Sequence, residues 1–236
     1  MRNESAGERQ HQLPYELVPD FEEFKAALSP WLEPFALHSN PPMNPELLLE
    51  RLRHYGILLH AKSAQLSLIS KGDRTHLFTR HILDSLNPVS LFEGPPRSAL
   101  DIGSGGGLPG VPLAIAWPGT RMILLESRER KAGFLEQMVR ELRLDNARVA
   151  CARLEDFGVS WREGPIAAVF VRAIGGLPAI LHEASKAAES GARWVYFLGA
   201  RDAAAAMGPE SLDAGRCGVT SGAFGGRLLT GRLGPP

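Results

Sequence analysis

The stretch Ala99-Leu100-Asp101-Ile102-Gly103-Ser104-Gly105-Gly106-Gly107-Leu108-Pro109-Gly110 limits what this chain can fold into more than any other. An apolar run ends in a carboxylate and then breaks into glycines. The apolar Val111–Ala116 follows and reads as a helix. Strand, glycine loop and helix in that order is how an α/β fold holds a nucleotide-like ligand at the carboxyl end of a strand. Glycine lets backbone approach the ligand closely and take positive φ. The opening turn of the helix offers unpaired N–H groups to an anion.

Around this loop the periodicity changes. Upstream, residues 1–96 read as helical. The polar stretch 1–12 is expected to fray. A helix is expected from a cap at Asp20 through Phe21, Phe24, Ala27 and Leu28, stopping near Pro30. Pro30–Pro45 carries five prolines and reads as a connector. A firmer helix starts with Asn44 as N-cap and Pro45 at its first position, and Leu48, Leu49, Leu52, Tyr55 and Leu59 recur at three- and four-residue steps. Another helix is expected over Thr75–Leu86, with Leu77, Phe78, Ile82 and Leu86 inward. Downstream, residues 97–236 alternate strand and helix: strands at Ala99–Ile102, Arg121–Glu126, Arg148–Ala152, Ile166–Val171 and Arg193–Leu198, helices at Leu108–Trp117, Arg128–Leu144 and Leu177–Ala188. This predicts a mostly parallel sheet with helices on both faces. Gly218–Phe224 and Arg227–Leu233 are expected as an antiparallel pair completing it.

Net charge is zero, so no global basic field draws the chain to nucleic acid. The distribution is uneven. Residues 1–50 hold three Lys/Arg against nine acids, and residues 51–81 hold six against one, with four histidines. A local basic segment is compatible with a phosphate-facing patch. Cys151 and Cys217 form neither a disulfide framework nor a metal-ligand spacing, which fits a reducing compartment. No apolar run approaches the ~20 residues that span a bilayer, so a cytoplasmic protein, not tied to a membrane, is expected.

The loop also matches the dinucleotide fingerprint G-x-G-x-x-G, but Asp101 just before it would crowd a pyrophosphate with like charge. S-adenosylmethionine fits better. Its ammonium wants a carboxylate, its carboxylate wants backbone N–H groups, its ribose diol wants an acid, and its adenine wants an apolar slot. Asp101, Gly103 and Gly105 meet the first two demands. Glu126, 25 residues on and ending a strand, is placed for the diol. Leu154 and Glu155, after the third strand, are placed for the adenine. Each acid alone reads equally well as a cap or a surface group; three of them at three strand ends do not.

Four stretches together resemble the family of ribosomal RNA small subunit methyltransferase G, also called glucose-inhibited division protein B. They are Arg80-His81-Ile82-Leu83-Asp84-Ser85-Leu86, the Asp101–Gly110 loop ending in Gly-Leu-Pro-Gly, Leu125-Glu126-Ser127, and Phe170-Val171-Arg172-Ala173. The resemblance runs from about Leu48 to Leu198. It implies a class I, Rossmann-like methyltransferase fold with a helical N-terminal extension. It also implies methyl transfer to N7 of a guanine in 16S rRNA, near the decoding centre. Cofactor contacts implied by position fall on Gly103, Leu108, Leu154-Glu155 and Arg172. Departures from the family's usual residues occur at His60-Ala61, Gln65-Leu66-Ser67, Val171 and Leu198-Gly199, mostly where substrate contacts are expected.

Guanine N7 carries a lone pair and no proton, so no general base is required, and the absence of a Ser-His-Asp or Cys-His set is expected. Arg172 reads as a cation facing a substrate phosphate or the cofactor, or as a structural ion pair. His81 and Asp84, three apart on one helix face, read either as groups that hold the guanine or close over the cofactor, or as a hydrogen bond fixing the helices to the sheet. Arg74, Arg80, Arg130 and Lys131, with Arg51, Arg53, Lys62, Lys71 and Arg128 nearby, are expected to meet RNA phosphates. The partner is then 16S rRNA or the small ribosomal subunit, and the protein is expected to be a monomer without a metal. A methyltransferase of the same fold acting on a small molecule or a protein, and an RNA-binding relative without activity, are the alternatives.

Overall fold

The structure is a computed structural model that describes residues 20–38, 42–199 and 217–234. The polar leader and residues 39–41 of the proline-rich stretch lie outside them. The chain begins with two helices, α1 (Phe21–His38) and α2 (Pro45–Leu66). Asn44 caps α2 as its type predicts, its side chain accepting from the Glu46 and Leu47 amides. Helix α1 differs from expectation: it runs through Pro30 and Pro34. Each proline removes one helical hydrogen bond. The residues beyond offset that loss, because Phe35 is buried and Trp31 and Phe35 both pack edge-on against Phe224. Asp20 is not a side-chain cap either. Its Oδ2 accepts from the Thr79 amide and hydroxyl at 2.8 Å, pinning α1 to the next segment.

That segment, expected as one α-helix over Thr75–Leu86, is a 3₁₀ turn (Lys71–His76), a π-helical turn (Leu77–Ile82), a short α-helix α3 (Leu83–Ser85) and a second 3₁₀ turn (Asn87–Leu91). The inward residues are those expected: Leu77, Phe78, Ile82 and Leu86 are fully buried. The wide turn closes with the Leu83 amide on the Phe78 carbonyl. Such turns frequently mark functional sites.

The sheet follows: β1 (Ser98–Ile102), β2 (Arg121–Leu125), β3 (Ala147–Ala150), β4 (Ile166–Arg172), β5 (Ala188–Phe197), β6 (Cys217–Ser221) and β7 (Arg227–Arg232), in the order β3-β2-β1-β4-β5-β7-β6. Neighbours among the first five are parallel, and β7 pairs antiparallel with both β5 and β6. Order reverses between β1 and β4, which is where such sheets bind ligands. Helices α4 (Gly110–Ala116), α5 (Glu129–Glu141), α6 (Leu154–Ser160) and α7 (Leu177–Ser185) cover the faces. Alternation along the strands divides the core. Ala99, Met122, Leu124, Ala168 and Phe170 pack with α1, α2, α4 and α5, so the N-terminal helices share one core with the sheet. Leu100, Ile123, Val169 and Val171 face α6 and α7 on the other side.

Candidate active site

Two strand ends meet at the point where order reverses. After β1, Gly103 stands at φ +68°, a conformation that strains any side chain, and a Cβ there would lie 2.3 Å from Ile174 Cδ1, so Ile174 would have to give way. At Gly110 a Cβ would lie 2.3 Å from Leu124 and 2.6 Å from Asp101 Oδ2, so helix α4 can start this close to β1 only without a side chain. The Gly110 amide donates to Asp101 Oδ2 at 3.0 Å. After β2, Glu126 accepts from the Gly105 amide at 3.0 Å and the Arg128 amide at 2.9 Å, tying the two loops together. From the helical layer, the buried Tyr55 hydroxyl donates to the Gly106 carbonyl at 2.9 Å.

After β4, Arg172 is held by the helical segment. Its guanidinium donates to Ser85 Oγ at 3.0 Å and to the His81 and Arg80 carbonyls, pairs with Asp84 Oδ2 at 3.0 Å, and lies over the Phe197 ring. Asp84 also accepts from Asn87, whose Oδ1 accepts from the Phe224 amide. The turn between β6 and β7 is thus wired to Arg172 through Asn87 and Asp84. Ala173, next in chain, takes φ +56°, a left-handed conformation costly for alanine.

Between the two strand ends lies a cavity of about 530 Å³. The glycine loop forms its floor; Glu126, Arg128 and Lys131 form one wall, His81, Arg172 and Ile174 another, and Leu68, Ile69 and Ser70 a third. Its volume is that of a cofactor site. Next to it, sharing Ser127, Arg128 and Lys131, runs a groove of about 560 Å³ lined by Gln65, Leu66, Ser67 and Arg130. A larger hollow of about 690 Å³ lies along β5, β6 and β7. Its two arginines, Arg193 and Arg232, are engaged by the carbonyls of Leu91 and Gly191, and no glycine-loop residue reaches it.

The structure therefore brings together Gly103, Gly105, Leu108, Glu126, Arg172 and His81 around one cavity. It does not bring Asp101 there. That side chain is fully buried behind the loop, where burial pushes its carboxyl up to about 7, and it holds the start of α4 rather than facing a ligand. Leu154 and Glu155 do not line the cavity either. They open α6, Leu154 packing on the second core and Glu155 exposed. Asp84 serves Arg172 and Asn87 outside the cavity wall, and burial raises its carboxyl despite the arginine.

Of the basic residues, Arg130 and Lys131 flank the groove and the cavity, and Arg80 is exposed beside Asp73 at 3.5 Å. Arg74 is half-buried and Arg53 lies over Phe21. Sequence reasoning missed Tyr55, Ser104, Ile174 and the Leu68–Ser70 wall. Among the departures, Gln65–Ser67 line the groove, whereas Val171 is buried in the sheet.

The model of the family described as rRNA small subunit methyltransferase G matches residues 48–210. The chain belongs to this family. Curated relatives named ribosomal RNA small subunit methyltransferase G agree. One from Paracoccus denitrificans is 41% identical over 106 residues, 45% of this chain and 55% of that one. One from Alkalilimnicola ehrlichii is 39% identical over 156 residues, 66% and 68%. One from Pseudomonas putida is 33% identical over 150 residues, 64% and 68%. The matches thus span 55% to 68% of these relatives' lengths. Solved structures share the fold. An O-methyltransferase from Streptomyces achromogenes in complex with S-adenosylmethionine is 21% identical, with TM-score 0.53 over 79% of this chain and 90% of that one. A precorrin-6y C5,15-methyltransferase from Geobacter metallireducens is 16% identical, with TM-score 0.50 over 63% and 86%. The chain is a class I methyltransferase of the rRNA small subunit methyltransferase G family, and its cofactor is S-adenosylmethionine.

The residues present fit that cofactor. Each Glu126 oxygen spends one lone pair on a backbone amide and keeps another at the cavity wall, as a diol requires. Leu108 and Ile174 supply apolar surface, and Gly103, at a positive φ that disfavours side chains, leaves the cradle open.

Proposed function

We propose that this chain methylates N7 of a guanine in 16S rRNA, near the decoding centre. The observation that carries this reading is one cavity with two kinds of wall: a glycine cradle with Glu126 on one side, joined through Ser127, Arg128 and Lys131 to a basic groove, and the Arg172–His81 platform on the other. When bound, S-adenosylmethionine supplies a methyl group on a positively charged sulfur. Gly103, Gly105 and Leu108 receive it closely and Glu126 accepts its ribose hydroxyls. Arg172 stiffens the opposite wall, so the entering base meets a fixed surface. Since N7 needs no deprotonation, the protein's contribution is orientation and exclusion of water. Arg128, Arg130 and Lys131 hold the flanking phosphates through salt-dependent contacts, with Arg80 and Arg74 of the helical segment beyond them. Residues 1–96 form the helical extension, which serves the substrate side, and 97–236 form the methyltransferase domain, which holds the cofactor and adds Arg128, Arg130, Lys131 and Arg172 to the substrate side.

The protein works in the cytoplasm as a monomer in this reading. No helix among the described residues is long and apolar enough to cross a membrane. The test uses the purified protein, labelled S-adenosylmethionine, and either small subunits from cells lacking the gene or free 16S rRNA. Label in a single N7-methylguanine is expected. Cofactor binding without label in either RNA sample would reject the RNA substrate.

A further inference from the structure

His81, a member of the Arg172 platform, has a buried ring nitrogen without a partner. Its Nδ1 lies 3.3 Å from Arg172 Nη2. A guanidinium has only donors, so Nδ1 must accept and the ring proton must sit on Nε2. That Nε2–H has no hydrogen-bond partner. The nearest carboxylate oxygen, Asp73 Oδ2, is 4.0 Å away, beyond hydrogen-bond reach. Burial and the adjacent Arg172 and Arg80 cations outweigh Asp73 and Asp20 and keep the ring neutral, with its pKa lowered to about 4. The neutral ring, and with it one fixed donor, therefore persists across the physiological range. The ring lines the cavity and its side chain is 20% exposed. The neighbour of Nε2 is Asp73, in a 3₁₀ segment that buries none of its residues.

A buried donor without a partner costs free energy and needs an acceptor when the site is filled. The major-groove edge of guanine offers two acceptors, N7 and O6; adenine offers N7 but presents an amino donor in place of O6. A donor on N7 would tie up the lone pair that has to attack. Donation to O6 leaves that lone pair free and meets adenine's amino group donor to donor.

We propose that His81 Nε2–H donates to O6 of the target guanine and so selects guanine over adenine. This rests on the guanine-N7 reading above. It makes His81 a specificity-determining residue, with Arg172 setting its tautomer.

The experiment uses small subunits reassembled with semi-synthetic 16S rRNA carrying either guanine or 2-aminopurine at the target. 2-Aminopurine keeps N7 and lacks O6. Methyl transfer is measured for wild type, His81→Gln and His81→Phe, with calorimetric titration of S-adenosylmethionine alongside. Wild type and His81→Gln, which keeps an N–H donor, are expected to prefer guanine about ten-fold or more. His81→Phe fills the space without a donor and is expected to treat both bases alike at unchanged cofactor affinity. Equal preference in wild type and His81→Phe would overturn the inference, and so would loss of cofactor binding in both variants, since His81 would then serve the cofactor. If wild type fails to methylate even the guanine subunits, the RNA reading falls, and this inference falls with it.

Discussion

The two walls of the cavity are built in opposite ways. At the ends of β1 and β2 the carboxylates are held by backbone close by: Asp101 through its Oδ2 by the Gly110 amide, its Oδ1 being buried without a partner, and Glu126 by the amides of Gly105 and Arg128. At the end of β4, Arg172 is satisfied by residues some 90 positions earlier, and through Asp84 and Asn87 it reaches the β6–β7 turn. The first wall is a local motif. The second exists only once the whole chain has folded. A cofactor shared by many methyltransferases can be held by a short, transferable loop, whereas a particular base needs a surface assembled from distant parts.

The largest test of this contrast is Arg172→Ala. It strands the Asp84 carboxylate, which is mostly buried, with only Asn87 as partner. Removing one member of such a pair is expected to cost about 3 kcal/mol of stability, read from the denaturation midpoint. Arg172→Lys is expected to recover little, because an ammonium cannot span five partners. A change below about 0.5 kcal/mol, the size of an ordinary surface substitution, would show that the β4 wall stands without its arginine.

A second test uses protons. Asp101 has its folded pKa raised from 3.8 to about 7, so its contribution to stability is full below pH 4 and is lost as pH rises through about 7. His81 has its folded pKa lowered from 6.5 to about 4, so its contribution is full above pH 6.5 and is lost as pH falls through about 4. The two oppose each other between pH 4 and 7, each by on the order of 3 kcal/mol at 1.36 kcal/mol per pKa unit. Asp101→Asn is therefore expected to make acidification more destabilising, and His81→Gln to make it less so. Parallel stability–pH curves for the two variants would contradict the opposite shifts of these two groups.

Gly103→Asp bears on the cofactor wall alone. It places a side chain against Ile174 at a positive φ and a negative charge in the cradle. Cofactor affinity is expected to fall at least 100-fold by calorimetry, about 2.7 kcal/mol. Retained affinity would refute the placement of the cofactor on this loop. The smallest effect is expected from Tyr55→Phe, which leaves the Gly106 carbonyl without its donor. A loss of about 1 kcal/mol, seen as a several-fold weaker cofactor affinity, would show that α2 helps to shape the loop.

The same contrast explains what the sequence made legible. The β1 loop, Glu126 and the sheet could be read because their constraints are local: glycines where a Cβ would collide, alternation along strands, a carboxylate one residue past a strand. Asp101 was legible as a carboxylate at a strand end, but its position does not reveal that its Oδ2 holds the Gly110 amide. Leu154-Glu155 was legible as a loop after the third strand, but not that α6 begins there with the pair outside the cavity lining. Helix α1 outlasts its prolines because of Phe224, nearly 190 residues away, and no local pattern carries that contact. Arg172, His81 and Asp84 were visible as residues, but not their arrangement, since the π-helical turn that aims them depends on packing by Phe78 and Ile82.

The central claim is that one cavity joins a methyl donor to a guanine of small-subunit RNA. It is tested most directly by mapping N7-methylguanine in 16S rRNA from cells with the gene, without it, and complemented by wild type or Gly103→Asp. One N7-methylguanine is expected to vanish on deletion, return with wild type and stay absent with Gly103→Asp. An unchanged modification pattern in the deletion strain would contradict it.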